Sequence, residues 1–196
     1  MENQFDISIS EFFKDLIEKF GYNGKYAELL TIVSGFFLFF IVLGIFFSLK
    51  KEQRVLGLVL IVSGILTFII NDLILKKCFI RERPFQYFGI EPPGFYIYSN
   101  SFPSGHSAIS SAGTFSILFY FLFLNKRKSK SLMIYSIISF VICLGVMISR
   151  MALLHHYFTD CIVGFLEGSL IALLVNYLAL IIVKQIEKKK NIVIEL

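Results

Sequence analysis

Tryptophan is absent from the 196 residues, cysteine occurs three times, and only 17% of the chain is charged. The missing tryptophan, set against twenty-three phenylalanines, is a matter of composition and carries no chemistry by itself. Three cysteines exclude a disulfide framework. Cys143 lies inside an apolar run and reads as a small packing residue. Cys78 and Cys161 both adjoin motif residues, which makes a bridge between them geometrically conceivable and nothing more. No Asp, Glu and His cluster with metal-ligand spacing lies near the motifs, so no metal and no cofactor is expected. Internal repeats and low-complexity segments are absent, and residues 1–27 are polar and mixed in charge, unlike a secretory leader. Scarce charge beside 56% hydrophobic residues and a mean hydropathy of +0.75 excludes an ordinary soluble domain.

The apolar residues fall into runs of about 20, the length that crosses a bilayer as a helix. They occupy residues 29–49, 55–75, 107–124, 131–148 and 161–183. This pattern predicts an all-α, polytopic membrane protein with five transmembrane helices in one domain covering residues 1–196. Before the first run, Phe12, Phe13, Leu16, Ile17 and Phe20 recur at helical spacing among charged residues. They predict an amphipathic helix ending near Gly21, either lying on the membrane surface or packing on the bundle.

Cation placement sets the threading, because short loops rich in Lys and Arg stay cytoplasmic. Lys50, Lys51 and Arg54 follow the first run, and Lys126, Arg127, Lys128 and Lys130 follow the third. Lys184, Lys188, Lys189 and Lys190 open a basic tail over residues 184–196. All three groups fall on one side of a five-span chain, which predicts a cytoplasmic C-terminus. The leader, the 76–106 connection and the 149–160 connection face the other way, toward a bacterial periplasm or cell exterior.

Those outward connections hold the chemistry-bearing residues. The first carries Lys76 and, seven residues on, Arg83-Pro84; next comes Pro103-Ser104-Gly105-His106. The second carries Ser149-Arg150, then His156 and Asp160. Two separated histidines, an acid and three cations suit phosphoryl transfer. Cations neutralise non-bridging oxygens, one imidazole attacks phosphorus, and the other protonates the leaving group. His156 and Asp160 stand four residues apart and share a helical face. An acid accepting from one imidazole nitrogen would fix the tautomer and free the other to attack. Taken alone, the pair reads equally as an interfacial histidine beside a helix-capping acid. Its company on the same side favours catalysis.

Gly105 lets backbone approach an anion, and the N–H groups of a helix start point at it. The Ser104 hydroxyl adds a donor, and His106 follows as the candidate acid. Lys76 offers a point charge, while Arg83 and Arg150 offer planar forks for phosphate oxygens. Lys77 and Arg81 exceed this set and read as interfacial charge or as contacts to a second phosphate. His155 points about 100° away from His156 on a helix and reads as an interfacial residue or a head-group contact. Asp72 stands four residues before Lys76 and is expected to pair with it. Glu167 has no partner visible in the sequence, and Gly164-x-x-x-Gly168 is a helix-packing signal. The aromatic stretch 85–100, with Pro92-Pro93-Gly94, reads as a lid or lipid-entry wall.

The pattern K-x6-RP, PSGH, SR-x5-H-x3-D resembles the type 2 phosphatidic acid phosphatase family, which also includes the vanadium haloperoxidases. The resemblance covers residues 76–160. It implies His156 as nucleophile through a phosphohistidine, Asp160 orienting it, His106 as general acid, and Lys76, Arg83, Ser104, Gly105 and Arg150 binding phosphate. It implies a lipid phosphate phosphatase acting at the outer leaflet. The substrate candidates are undecaprenyl diphosphate, phosphatidylglycerophosphate or phosphatidic acid, and the 1-phosphate of lipid A. A lipid phosphotransferase would use the same intermediate. A non-enzymatic anion or lipid transporter would instead spread its charges through the spans. Neither nucleic acid nor an obligatory protein partner is expected.

Overall fold

The computed structural model describes residues 3–20, 37–91, 99–125 and 129–194. Seven α-helices of four residues or more are described: α1 (Gln4–Phe20), α2 (Phe37–Leu49), α3 (Arg54–Phe68), α4 (Pro84–Tyr87), α5 (Gly105–Phe119), α6 (Lys130–Ala152) and α7 (Phe158–Ile194). A π-helical stretch, Ile69–Leu75, prolongs α3 into a short turn at Lys76–Cys78, and a second, Tyr120–Leu124, prolongs α5. The protein is all-α and polytopic, as its composition requires.

Among the described residues, four continuous helices are long and apolar enough to cross a membrane: Lys51–Cys78, Gly105–Leu124, Lys130–Ala152 and Phe158–Lys189. The expected first span begins among residues outside the described set, and its described part is the apolar helix α2. Leu58, Ile134, Val141 and Leu170 are exposed along the flanks, an outward apolar surface that suits lipid. The last helix runs well past residue 183, because its Lys- and Glu-rich end consists of good helix formers.

Helix α5 is the hub, packed against α3, α6 and α7. Its sequence is rich in glycine, alanine and serine, and small side chains let helix backbones close in lipid, where dispersion replaces the hydrophobic drive. The packing signal in α7 has a direct counterpart. A Cβ on Gly164 would strike the Ser104 carbonyl oxygen, and one on Gly168 would strike that of Ala108. Helix α7 therefore lies backbone to backbone on the first turns of α5, which carry the Pro-Ser-Gly-His motif.

The leader helix packs on α6 and α7. Its inward face begins with Asp6, fully buried, and Ser10, while Phe12 stays outside. The apolar stripe alone did not identify that face. The inward positions follow an i, i+4, i+7 register starting from a carboxylate, which hydrophobic periodicity does not see.

Candidate active site

Three motif segments, carried by two connections, meet at one mouth of the bundle. Lys76 follows the π-helical stretch, and its Nζ lies 2.5 Å from Asp72 Oδ1, the expected i,i+4 pair. Gly105 seats the start of α5 against this pair. A Cβ there would stand 3.1 Å from Asn71 Oδ1, 3.1 Å from Asp72 Oδ2 and 3.2 Å from Lys76 Nζ. Ser104 caps α5, its Oγ accepting from the Ser107 amide at 3.4 Å and from the Ser107 hydroxyl at 3.0 Å.

Arg83 is extended (φ −85°, ψ 155°), the conformation that a following proline favours, and is buried. Its Nε donates to Ser99 O at 3.0 Å and its Nη2 to Ser99 Oγ at 2.8 Å. Its Nη1 donates to the His155 carbonyl at 2.9 Å and lies 3.4 Å from His156 Nε2. The fork thus ties the first connection to the last.

Arg150 ends α6 and is buried. Its carbonyl accepts from the amides of His155 (3.1 Å) and His156 (3.3 Å). Between them Leu154 takes the left-handed conformation (φ 52°), uncommon for a side chain with a Cβ. Its carbonyl accepts from Phe85 N at 3.1 Å, pinning the tight turn to α4.

His156 Nδ1 lies 2.7 Å from Ser101 O. A carbonyl only accepts, so Nδ1 carries the proton and the Nε2 lone pair faces Arg83 Nη1. Burial first, then the charges of Arg83, Lys76 and Arg150, pushes the His156 imidazolium well below its ordinary pKa. The ring is therefore neutral at physiological pH, the state a nucleophile needs. His106 is half-buried in the first turn of α5, directly after the Gly105 that seats against Asp72 and Lys76. All three motifs therefore converge on one centre.

The sequence expectation for Asp160 needs a correction. Its Oδ2 is 3.7 Å from His156 Nδ1, beyond a hydrogen bond. The Ser101 carbonyl orients the ring instead. Asp160 Oδ2 accepts from Ser101 Oγ at 2.5 Å and from Tyr157 N at 2.9 Å. Asp160 and His156 are linked at one remove, through Ser101, which the chain folds between them.

Two further expectations change. His155 is buried at 2% exposure, with its ring edge against Phe85 at 6.1 Å, and is not an interfacial residue. Arg81 is no loose interfacial charge. It donates to Asp160 Oδ1 at 2.5 Å and to Asp6 Oδ2 at 2.8 Å, with its guanidinium 4.1 Å from the Tyr157 ring centre. Engaged by two carboxylates, it is not placed to take a second phosphate, whereas Lys77 stays exposed. Glu167 has its partner in Asn71, whose Nδ2 donates to Oε2 at 2.6 Å. Sequence gave no signal for Ser101, Asn71 or Asp6.

The three thiols are free, with Cys78 exposed and Cys161 buried, so no bridge joins them. Pro92-Pro93-Gly94 lies outside the described residues. The flanks of that stretch are anchored, Ser99 by Arg83 and Asn100 by its Nδ2 donating to Lys76 O at 2.7 Å. Among the described residues, no group of three or more His, Cys, Asp or Glu side chains is placed to hold a metal ion.

The family model for the PAP2 superfamily matches residues 53–183. The fold is similar to the crystal structure of the first transmembrane PAP2 type phosphatidylglycerolphosphate phosphatase from Bacillus subtilis, with a TM-score of 0.60 and 26% identity. That likeness covers 90% of this chain and 96% of the other. The search of curated proteins gave no match.

Proposed function

The chain belongs to the PAP2 superfamily, and from that premise we propose that it is a membrane phosphatase hydrolysing a lipid phosphate through a phosphohistidine on His156. One observation carries the reading. A buried imidazole, protonated at Nδ1 by its bond to Ser101 O, turns an unprotonated Nε2 toward Arg83. The whole chain, residues 1–196, serves as one membrane-embedded catalytic domain.

The reaction follows from the atoms present. Phosphate oxygens sit among Arg83, Arg150, Lys76 and the first amides of α5, with the Ser104 hydroxyl nearby. The Nε2 lone pair forms a bond to phosphorus as the bond to the lipid oxygen breaks. His106 gives that oxygen its proton. Water then attacks the phosphohistidine, His106 takes the water's proton, and the P–N bond breaks to release inorganic phosphate. The nucleophile must be neutral and the acid protonated, and Asp160 holds Ser101 so that the first condition persists. Three cations supply the charge neutralisation for which other phosphatases use a metal.

The activity of the similar Bacillus subtilis phosphatase supports testing phosphatidylglycerophosphate first. Phosphatidic acid, undecaprenyl diphosphate and lipid A 1-phosphate follow. The loop cations support a plasma-membrane enzyme whose mouth faces outward and whose C-terminus is cytoplasmic. Purified protein given each lipid should release inorganic phosphate, keep its rate in EDTA, and be inhibited by vanadate. Vanadate matters because its trigonal-bipyramidal form copies phosphorus under attack. Phosphoryl transfer to an added alcohol without phosphate release would make the enzyme a transferase, and loss of rate in EDTA would overturn the cation-only mechanism.

A further inference from the structure

The leader helix reaches the reacting histidine through a continuous chain of hydrogen bonds. Asp6, fully buried on α1, accepts from Thr159 N at 3.0 Å and from Thr159 Oγ1 at 2.5 Å. Thr159 lies in the first turn of α7, whose amides have no intrahelical partner, so a carboxylate from another helix caps the element that carries Asp160. The second link is Arg81. Its Nη2 holds Asp6 while its Nη1 reaches both Thr159 Oγ1 (2.9 Å) and Asp160 Oδ1 (2.5 Å). Asp160 then receives Ser101 Oγ, and Ser101 O receives the Nδ1 proton of His156.

Electrostatics explains why such an arrangement is specific. Asp6 and Asp160 are both at 0% exposure, and a buried carboxylate is tolerated only when paired and hydrogen-bonded. One guanidinium serves both, and its planar fork supplies two edges where an ammonium would offer a point. The Tyr157 ring beneath Arg81 fixes the plane of that fork. Neither carboxylate can turn without unsatisfying the other.

We propose that Asp6 and Arg81 are positioning residues for the reaction, and that α1 is a working part of the active site rather than a membrane-surface leader. They act by fixing the Asp160 carboxylate, hence the Ser101 carbonyl, hence the tautomer and aim of His156. The proposal rests on His156 being the nucleophile, but its central claim concerns the state of an imidazole and can be read without substrate.

The chain has three histidines, so 15N-labelled imidazoles give a simple spectrum. In the wild-type full-length protein His156 should show the Nδ1–H tautomer with Nε2 unprotonated. In Asp6→Asn, and again in Arg81→Lys, that tautomer should give way to a mixture while the His155 signal stays in place. The kcat for a lipid phosphate should fall roughly ten- to a hundredfold, with KM held within about twofold, as expected for a misaimed reacting group. If Asp6→Asn does not yield folded protein, Thr159→Val is read in the same way, since it removes only the hydroxyl shared by Asp6 and Arg81. An unchanged His156 spectrum in a folded variant overturns the proposal, whatever the rate does. So does an unchanged kcat. A wild-type protein with the expected spectrum but no phosphatase activity would sink the proposed function and leave the relay standing.

Discussion

The two ends of the helical bundle are built by different rules. At the mouth, buried side chains are polar: Asp6, Arg83, Ser101, Arg150, His156 and Asp160 sit within a web of directed bonds. At the far end, Phe40, Phe47, Leu56, Leu60, Ile117 and Leu132 form an apolar cluster beside a cavity of about 580 Å³ lined partly by Leu43 and Ile142. Cohesion at the far end depends on volume and contact, and apolar residues can exchange there with modest loss. At the mouth most buried polar groups are held by directed hydrogen bonds, and replacing one group leaves another buried and unsatisfied. The same helices thus carry a tolerant end and an exacting one.

The contrast would be broken most sharply at His156. His156→Ala should lower lipid phosphate turnover at least about a thousandfold, because the atom proposed to form the bond to phosphorus is gone. His155→Ala should stay within about tenfold of wild type, since Arg83 uses the backbone carbonyl at 155 and not the ring. Equal losses at the two positions in a steady-state assay would refute the assignment.

Arg83→Lys comes next, with kcat/KM expected to fall about a hundredfold. A lysine cannot hold Ser99 and the His155 carbonyl at once while facing His156. Near-normal kinetics in that variant would show that charge alone suffices at this position.

The pH profile should separate the ends without any mutation. The imidazolium pKa of His156 is pushed below the ordinary 6.5, so the ring stays neutral, and turnover persists, as pH falls through 6.5. The acid limb of kcat/KM should appear only at lower pH. A limb centred at or above 6.5 would mean that the ring is better solvated than its burial implies.

Gly168→Ala should cost about 1–3 kcal/mol of stability, because the added methyl meets the Ala108 carbonyl and the Ser111 hydroxyl. Its effect on turnover should be a few-fold at most, measured per folded molecule. The smallest kinetic effect belongs to the far end. Phe47→Ala should lower thermal stability by about 3 kcal/mol yet leave kcat/KM within about twofold. A large kinetic loss there would show that the two ends are coupled, and the contrast between them would fail.

What could be read from the chain divides along the same line. Apolar runs, the Asp72–Lys76 spacing and the Gly164–Gly168 pair are local patterns, and each corresponds to what the helices do. The three motifs could be recognised because their residue types and spacings are kept together within 85 residues or fewer. The relay through Asp6, Arg81 and Ser101 could not be. Its bonded pairs lie up to 153 residues apart, and no periodicity marks a lone aspartate whose partner is a threonine amide in another helix. Asn71 and Glu167, 96 residues apart, were hidden for the same reason. Ser101 was hidden in a further way, because it acts on His156 through a backbone oxygen that every residue possesses.

The π-helical stretch Ile69–Leu75 has a consequence for how this sequence tolerates insertion and deletion. A π turn holds extra chain compared with an α turn. The apolar first half of the span and its polar end, with Asn71, Asp72 and Lys76, are therefore out of phase with a single uninterrupted α-helix. Excising one residue between 69 and 75 would let the helix wind evenly and turn Lys76 by about 100° relative to the residues before it. Composition, hydropathy and span length would hardly change, and every motif residue would survive in the alignment. Such a protein would still enter a membrane and still match its family, with its lysine facing the wrong helix.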